Sequence, residues 1–285
     1  MTPTEKSVAY LGIPGTYTYI SCTEKLPDYK LVPRPGFREC LEAVEKGEVD
    51  ATLMAIENST AGRVEAVHHL LRDTSLVITG EHFHSVKHCL LAPEGTSLDN
   101  VTEILSHEQA LKQCKLFIAR QGATPIPCSG TAVAAKLVAQ SEGGNKAVIA
   151  AELCVELYQL SVLKRDIQDM KVNTTRFIVI QKPPQTPPPQ IAGKAYGTSM
   201  LIGSNDNVDG LDVVKVFDCI SAQGLTVSKM ETYAGNIQIK QIYIELRCHS
   251  ESDACRKACA NIELITTVRP MGCYELADRP SDISA

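Results

Sequence analysis

Three short polar runs stand where an α/β chain could do chemistry: Gly15-Thr16, Glu57-Asn58-Ser59 and Ser106-His107. Each follows an apolar, strand-like stretch, and in open α/β sheets ligands bind beyond the carboxyl ends of the strands. That placement is the first sign of a site. Ser59 and Thr131 also precede helix-like stretches, so both read equally as N-caps, which use the same backbone N–H groups that bind anions. His107 is either a general acid or a capping-region residue, and Glu57 either a proton carrier or a group that orients neighbouring amides.

Two other constellations carry ligand-type residues. Cys255 and Cys259 share a helix face at i, i+4, with Cys248 and His249 nearby. They also match a core stripe, and no second tight ligand pair completes a zinc site, so they read as core thiols. His82 and His84 fall on one face of a strand, with His88 further along; without an evident carboxylate partner they read as packing or surface histidines. No metal site and no cofactor is expected.

The elements that must position these residues follow a repeated β-then-α order. Strands are expected at Ser7–Gly12, Ala51–Ile56, Leu76–Ile78, Thr102–Leu105, Ala147–Ala150 and Thr175–Ile180. Helices are expected from the loop Gly15–Cys22 onward, at Phe37–Lys46, Gly62–Leu71, Glu108–Arg120, Thr131–Gln140 and Glu152–Leu157. This order predicts α/β layers with largely parallel strands. The boundary is a proline-dense stretch, 182–197, with Pro183, Pro184, Pro187, Pro188 and Pro189. Such density removes backbone donors and favours a stiff extended linker. It separates a first domain, 1–181, from a second, 198–278. The second reads βαββαβ, the ferredoxin-like order: Thr198–Gly203, Leu211–Ala222, Leu225–Thr232, Ile237–Arg247, Ser252–Ala260 and Glu263–Val268.

Composition narrows the function classes. With 44% apolar and 21% charged residues the chain has an ordinary globular balance, and a net charge of −5 argues against a surface that tracks nucleic-acid phosphates. No apolar run reaches the length of a membrane span, and the N-terminus shows no signal peptide. The eleven cysteines, odd in number and lacking any C-x-x-C pair, read as reduced thiols of a cytoplasmic protein.

Five segments together resemble the prephenate dehydratase family: G-I-P-G-T-Y-T at Gly12–Thr18, I-E-N-S-T-A-G at Ile56–Gly62, S-H-E-Q-A-L-K-Q-C at Ser106–Cys114, G-T-A at Gly130–Ala132, and I-Q-D-M-K-V-N-T-T-R-F at Ile167–Phe177. Their order and spacing make the resemblance specific, although Glu108 stands where the family usually has proline. The resemblance implies a catalytic domain similar to periplasmic binding proteins, with two α/β subdomains and hinge crossings near Glu81 and Asp166. It implies decarboxylative dehydration of prephenate to phenylpyruvate in phenylalanine biosynthesis. Aromatisation drives that reaction, so the enzyme has only to anchor two carboxylates, assist departure of the ring hydroxyl and exclude water. Thr175 matches the family's essential threonine, and Thr174 should point to the opposite face of the strand. Thr16, Thr18, Asn58, Ser59, Ser106, Gln109 and Thr131 supply hydroxyls and amides for substrate binding. Arg176 either holds a substrate carboxylate or pairs with a protein acid such as Asp169. Phe177 reads as wall or core.

The tail resembles the ACT domain that follows the catalytic domain in this family and commonly binds phenylalanine. The resemblance places effector contacts at Asn207, Gly210, Leu211 and Glu231, with Met271-Gly272-Cys273-Tyr274 as the closing segment. Glu231-Thr232-Tyr233-Ala234 stands where the family usually has Glu-Ser-Arg-Pro, so a response to phenylalanine should be weak or redirected to another effector. Pairing of this domain implies a homodimer or homotetramer. The alternative functions are arogenate dehydratase, which runs the same elimination on the amino analogue, and a non-catalytic small-molecule-binding regulator.

Overall fold

The computed structural model describes residues 5–204, 210–235 and 238–280. In chain order the first elements are β1 (Ser7–Leu11), α1 (Tyr17–Lys25), β2 (Lys30–Arg34), α2 (Phe37–Glu45), β3 (Ala51–Asn58), β4 (Gly62–Arg63), α3 (Glu65–Asp73) and β5 (Val77–Ser85). Then follow β6 (Cys89–Pro93), β7 (Glu103–His107), α4 (Glu108–Gln113), α5 (Lys115–Gln121), β8 (Thr124–Cys128), α6 (Thr131–Ala139), β9 (Lys146–Ala150), α7 (Cys154–Tyr158) and β10 (Leu160–Lys164). The chain continues through β11 (Thr174–Gln181), β12 (Tyr196–Gly203), α8 (Val213–Ser221), β13 (Val227–Gly235), β14 (Gln238–Leu246), α9 (Asp253–Glu263) and β15 (Val268–Glu275). Contacts group the chain up to His69 with His82–Phe177 and the described residues from Arg279 as one compact unit. The other unit combines Leu70–Glu81 with Ile178–Asp278.

The α/β layers are as expected, and they form two sheets. The first runs β2-β1-β3-β11-β5, with β4 folded back on β3; the second runs β10-β6-β9-β7-β8. Alternation within the second sheet shows why both of its faces are covered. Leu90, Ile104 and Ile149 enter one core cluster with Leu111, Cys114 and Ile118, whereas their neighbours Leu91, Leu105 and Val148 enter another with Ala135 and Val138. Successive side chains of a strand point to opposite faces, so helices α4 and α5 cover one side and α6 the other. Each fully buried Leu or Ile contributes roughly 1.5–3 kcal/mol.

Several sequence expectations need correction. The strands are not largely parallel throughout: β1 pairs in parallel with β2 and β3, and β7 with β8 and β9, but β6 is antiparallel to both β9 and β10. The sequence reading misses β2, β4, β6, β8 and β10; for β2 and β8 the reason is that Pro33, Pro125 and Pro127 argue against strands, and both are edge strands, where a missing N–H is tolerated. The helix expected over Glu108–Arg120 is two helices. Cys114 departs from helical geometry at φ −118°, ψ 24°, and the carboxylate of Asp169 accepts the backbone N–H of Leu116 at 3.2 Å, satisfying the first turn of α5. The helix placed at Gly62–Leu71 starts only at Glu65, because Gly62 and Arg63 pair back onto Asn58 and Glu57.

The C-terminal part forms a four-stranded sheet in the order β13-β14-β12-β15, with α8 and α9, which is the ferredoxin-like arrangement. Its core holds Met200, Ile202, Val216, Ile220, Ile242, Ile244, Cys255 and Ile262, with Cys248 and Cys259 packed against it. The thiol cluster is therefore a core stripe, as its spacing suggests. The last strand is misplaced in the sequence reading: Glu263–Val268 is the end of α9 and a turn, and the strand begins only at Val268. The apolar pair behind that misreading, Leu264 and Ile265, is 87% and 41% exposed and does not enter the sheet.

Candidate active site

The strand pair β3 and β11 builds the centre of the site. Ser59 anchors their ends: its N–H donates to the Thr174 carbonyl and its Oγ accepts the Thr174 N–H, both at 2.9 Å. Asn58 then spends all its hydrogen-bonding capacity locally. Its Nδ2 donates to Thr175 Oγ1 and to Asn173 Oδ1, each at 2.9 Å. Its Oδ1 accepts from the Thr60 N–H (2.9 Å), the Thr60 hydroxyl (2.7 Å) and the Ala61 N–H (2.9 Å), closing an Asx turn. Asn58 therefore positions Thr175 and the turn, while Ser59, which is exposed, ties the two strand ends together through its N–H and the acceptor side of its hydroxyl.

Thr175 is 8% exposed, and its hydroxyl accepts from Asn58 while donating to no group among the described residues. An amide N–H held on the oxygen turns the hydroxyl's own proton outward, toward an external acceptor. Asn173, 1% exposed, accepts from Asn58 through Oδ1, and its Nδ2 has no partner. A buried donor of that kind is costly unless something arrives to accept from it. Thr174, on the opposite face as alternation requires, has a buried hydroxyl that also makes no hydrogen bond.

A second layer joins this turn to the other sheet of the same unit. Gln113 at the end of α4 donates from Nε2 to Thr60 Oγ1 at 2.6 Å. Its Oε1 faces His88 Nε2 at 2.8 Å, and His88 Nδ1 lies 2.9 Å from the Tyr17 hydroxyl, which also reaches the Lys87 carbonyl at 2.7 Å. Because Gln113 Oε1 can only accept, His88 carries a proton on Nε2, and the single Tyr17 hydroxyl proton is shared between the two acceptors it faces, the Lys87 carbonyl and His88 Nδ1. Burial pushes the His88 pKa down, against the raising effect of the Gln113 bond, so the ring is neutral near pH 7. Burial likewise pushes Tyr17 well above its ordinary value. A pocket of about 370 Å³, in the range that small ligands occupy, is lined by Thr60, Gln109, Lys112, Gln113, Met170 and Asn173. Lys112 pairs with Glu108 at 2.7 Å, but both side chains are about two-thirds exposed, so the pair contributes little and the ammonium is available to an anion.

The remaining expected residues divide. Gln109 lines the pocket, with its N–H donating to His107 Nδ1 at 3.2 Å; His107 is thereby the N-cap of α4, and its capping reading holds. Thr16 caps α1, accepting from the Tyr19 N–H at 3.2 Å, and Thr18 is half-buried in the first turn of that helix. Thr131 is the first residue of α6, whose N-cap is Gly130, so its capping reading fails. Ser106 is fully buried and donates to the Ile149 carbonyl at 2.6 Å, which removes it from the substrate-binding set. Arg176 points away from Thr175 and meets Glu57 at 3.4 Å with only 5% of its side chain exposed. The protein acid facing it is Glu57, not Asp169, and it is not placed to hold a carboxylate beside Thr175. Phe177 is buried core, 1% exposed. Thr60, Lys112, Gln113 and Asn173 are not singled out by the sequence alone, and His88 is read there only as a packing or surface histidine. The signal for Gln113 and Asn173 is their place within the Ser106–Cys114 and Ile167–Phe177 motifs.

The fold also corrects the reading of His82 and His84. A carboxylate partner does exist: Glu24 of α1 lies 2.7 Å from His82 Nε2 and 2.9 Å from His84 Nδ1.

Within the C-terminal unit, Asn207 lies outside the described residues. Gly210 adopts φ +80°, and a side chain there would come within 3.3 Å of the Ile239 carbonyl, so only glycine fits well. Leu211 donates its N–H to the same carbonyl at 2.8 Å and packs its side chain on the core, which leaves little of it for an effector. Glu231 meets Lys229 at 3.4 Å. Tyr233 is buried with the Arg72 guanidinium 5.7 Å from its ring centroid. Met271 and Tyr274 are each 1% exposed.

An α/β scaffold here gathers neutral hydrogen-bond donors at paired strand ends beside a small pocket, an arrangement suited to holding a small polar molecule. Residues 8–185 match the family model described as prephenate dehydratase, and the chain belongs to that family. Over 89% of its length it is 31% identical to a bifunctional N-acyl-homoserine lactone acylase/prephenate dehydratase of Komagataeibacter europaeus, covering 90% of that protein. It is 36% identical to the chloroplastic arogenate dehydratase/prephenate dehydratase 2 of Arabidopsis thaliana over 63% of the chain and 47% of the relative. The crystal structure of a prephenate dehydratase from Arthrobacter aurescens in complex with L-Phe superposes with a TM-score of 0.85 at 26% identity, covering 94% of this chain and 89% of the other. Among the described residues no helix is long and apolar enough to cross a membrane.

Proposed function

We propose that this protein converts prephenate to phenylpyruvate, carbon dioxide and water, with Thr175 as the proton donor to the departing ring hydroxyl. The observation that carries the reading is the Thr175 hydroxyl, fixed by Asn58 and free to donate. Cleavage of the carboxyl bond sends its electron pair into the ring as the C–O bond breaks. The oxygen leaves hydrogen-bonded to Thr175 and departs as water, one proton being taken up overall. A threonine is too weak an acid to drive this, but aromatisation supplies the driving force. Asn173 Nδ2 and the hydroxyl-and-amide wall of the pocket offer donors to substrate oxygens, and Lys112 offers a cation for a carboxylate. Assaying phenylpyruvate formation tests this directly. Thr175→Ala should lose at least about a hundredfold in turnover, the usual scale of acid–base assistance, and Thr174→Ala much less. Equal losses at both positions would break the assignment.

The second reading is arogenate dehydration, favoured by the activity for which the Arabidopsis relative is named; it uses the same elimination, and arogenate in parallel assays decides between the two. The Komagataeibacter relative makes an N-acyl-homoserine lactone the third substrate to assay. The ferredoxin-like part is read as an ACT-type effector domain that responds weakly to phenylalanine. It also supports assembly into a homodimer or homotetramer, since Val214 and Leu264 stay 70% and 87% exposed in one chain.

A further inference from the structure

The chemistry described so far leaves one convergent cluster unused. Glu24 on α1 and His82 and His84 on β5 bring one carboxylate oxygen and two imidazole nitrogens within 4.8 Å of one another. Spacing i, i+2 puts both histidines on one face of the strand, and their rings sit 6.5 Å apart at 37°. His82 presents Nε2 and His84 presents Nδ1 to the same oxygen, Glu24 Oε2, at 2.7 and 2.9 Å. Both ring nitrogens converge on this carboxylate oxygen, so a small rotation of the Glu24 side chain would leave the three donor atoms facing a common point, as in a three-ligand metal site.

We propose that Glu24, His82 and His84 form a binding site for a divalent transition-metal ion of the zinc class. Around a tetrahedral ion with ligands at about 2.0–2.1 Å, donor atoms stand roughly 3.3 Å apart. The present spacing reaches that by small side-chain rotations. Each neutral imidazole keeps its proton by moving it to the ring nitrogen facing away, Nδ1 of His82 and Nε2 of His84, while the vacated lone pair meets the ion. With side-chain exposures of 43% for Glu24, 20% for His82 and 14% for His84, the fourth position opens to solvent and takes water.

The ion would tie α1 to β5. The first residue of α1 is Tyr17, whose ring lies 5.7 Å from that of His84 and whose hydroxyl joins the His88 network. The site thus stands one residue away from the second layer of the active centre without belonging to it, and its occupancy does not depend on which substrate is turned over.

The test uses the full-length protein freed of metal with a chelator. Titration with Zn²⁺ should show one equivalent bound with micromolar or tighter affinity, and a hundredfold excess over Kd should raise the melting temperature by about 5 °C. Co²⁺ should give the visible absorption of a tetrahedral site. Glu24→Gln and His84→Ala should each weaken binding at least about tenfold. His69→Ala, which removes the separate surface pair with Glu65, should leave it unchanged. Glu24→Gln keeps shape and volume, so it reports even where the alanine variant misfolds. Absence of stoichiometric binding, or binding that survives Glu24→Gln and His84→Ala at wild-type strength, overturns the proposal.

Discussion

Replacing Asn58 by aspartate reverses one proton and little else. The carboxylate keeps the oxygen that accepts from Thr60 and Ala61, so the Asx turn survives. The position of Nδ2, however, becomes a second acceptor 2.9 Å from Thr175 Oγ1 and 2.9 Å from Asn173 Oδ1. The Thr175 hydroxyl must then rotate its proton onto the introduced carboxylate, and it no longer donates to a leaving hydroxyl. A hydrogen bond to a charged group is worth about 1.5–3 kcal/mol, which the reaction would have to break. That converts to a loss of roughly ten- to 150-fold in kcat. KM should change less, because Asn58 lies behind Thr175. The assay is the pH profile of phenylpyruvate formation. As pH falls and the new carboxylate protonates, it regains a donor, so the Asn58→Asp variant should recover activity relative to wild type toward acid pH. A kcat within threefold of wild type throughout, or a loss that does not vary with pH, would refute the assigned direction of the Asn58–Thr175 bond.

Arg176→Leu removes a buried guanidinium and should destabilise the protein by about 1–3 kcal/mol, below the 3–5 kcal/mol of a fully buried pair because Glu57 keeps a third of its side chain exposed; urea melts measure it, and an unchanged midpoint would deny the pair any role. His88 is neutral in the fold with a depressed pKa, so the unfolded chain binds more protons below about pH 6.5. Stability from this group is present above that pH and is lost as pH falls toward the folded-state pKa. His88→Gln should flatten that part of the stability–pH curve, and an identical slope would show that other groups carry it. Calorimetry with phenylalanine should give affinity about ten- to a hundredfold weaker than a pocket with its polar groups intact, since Tyr233 is buried under Arg72; low-micromolar binding with full inhibition would show a competent effector site.

The parts of the molecule legible in the sequence are those set by local pattern. The apolar run of β3 ending in Glu-Asn, the βαββαβ order of the tail and the alternation of Thr174 and Thr175 all follow from neighbouring residues. Contacts between distant segments are not legible. Nothing near His82 or His84 in sequence offers a carboxylate, because Glu24 arrives from a helix 58 residues earlier. Ser106 looks like a site hydroxyl from its motif, yet Ile149, 43 residues on, supplies the carbonyl that occupies it. Arg176 finds its acid 119 residues back in Glu57, where the sequence points to the nearer Asp169. Prolines hide two edge strands for a simpler reason: propensity speaks against a strand without knowing that its missing donor would face outward.

The break between α4 and α5 has a bearing on how this chain can be recombined with its relatives. Asp169 holds both sides of the break, accepting from Leu116 through its carboxylate and donating its own N–H to the Gln113 carbonyl at 2.7 Å. Gln113 and Asn173, which line one pocket, therefore come from two segments clasped to each other by Asp169. A chimera that exchanges Ser106–Cys114 alone would set a foreign helix end against a native clasp. Exchanging Ile167–Phe177 with it transfers the clasp together with its catch.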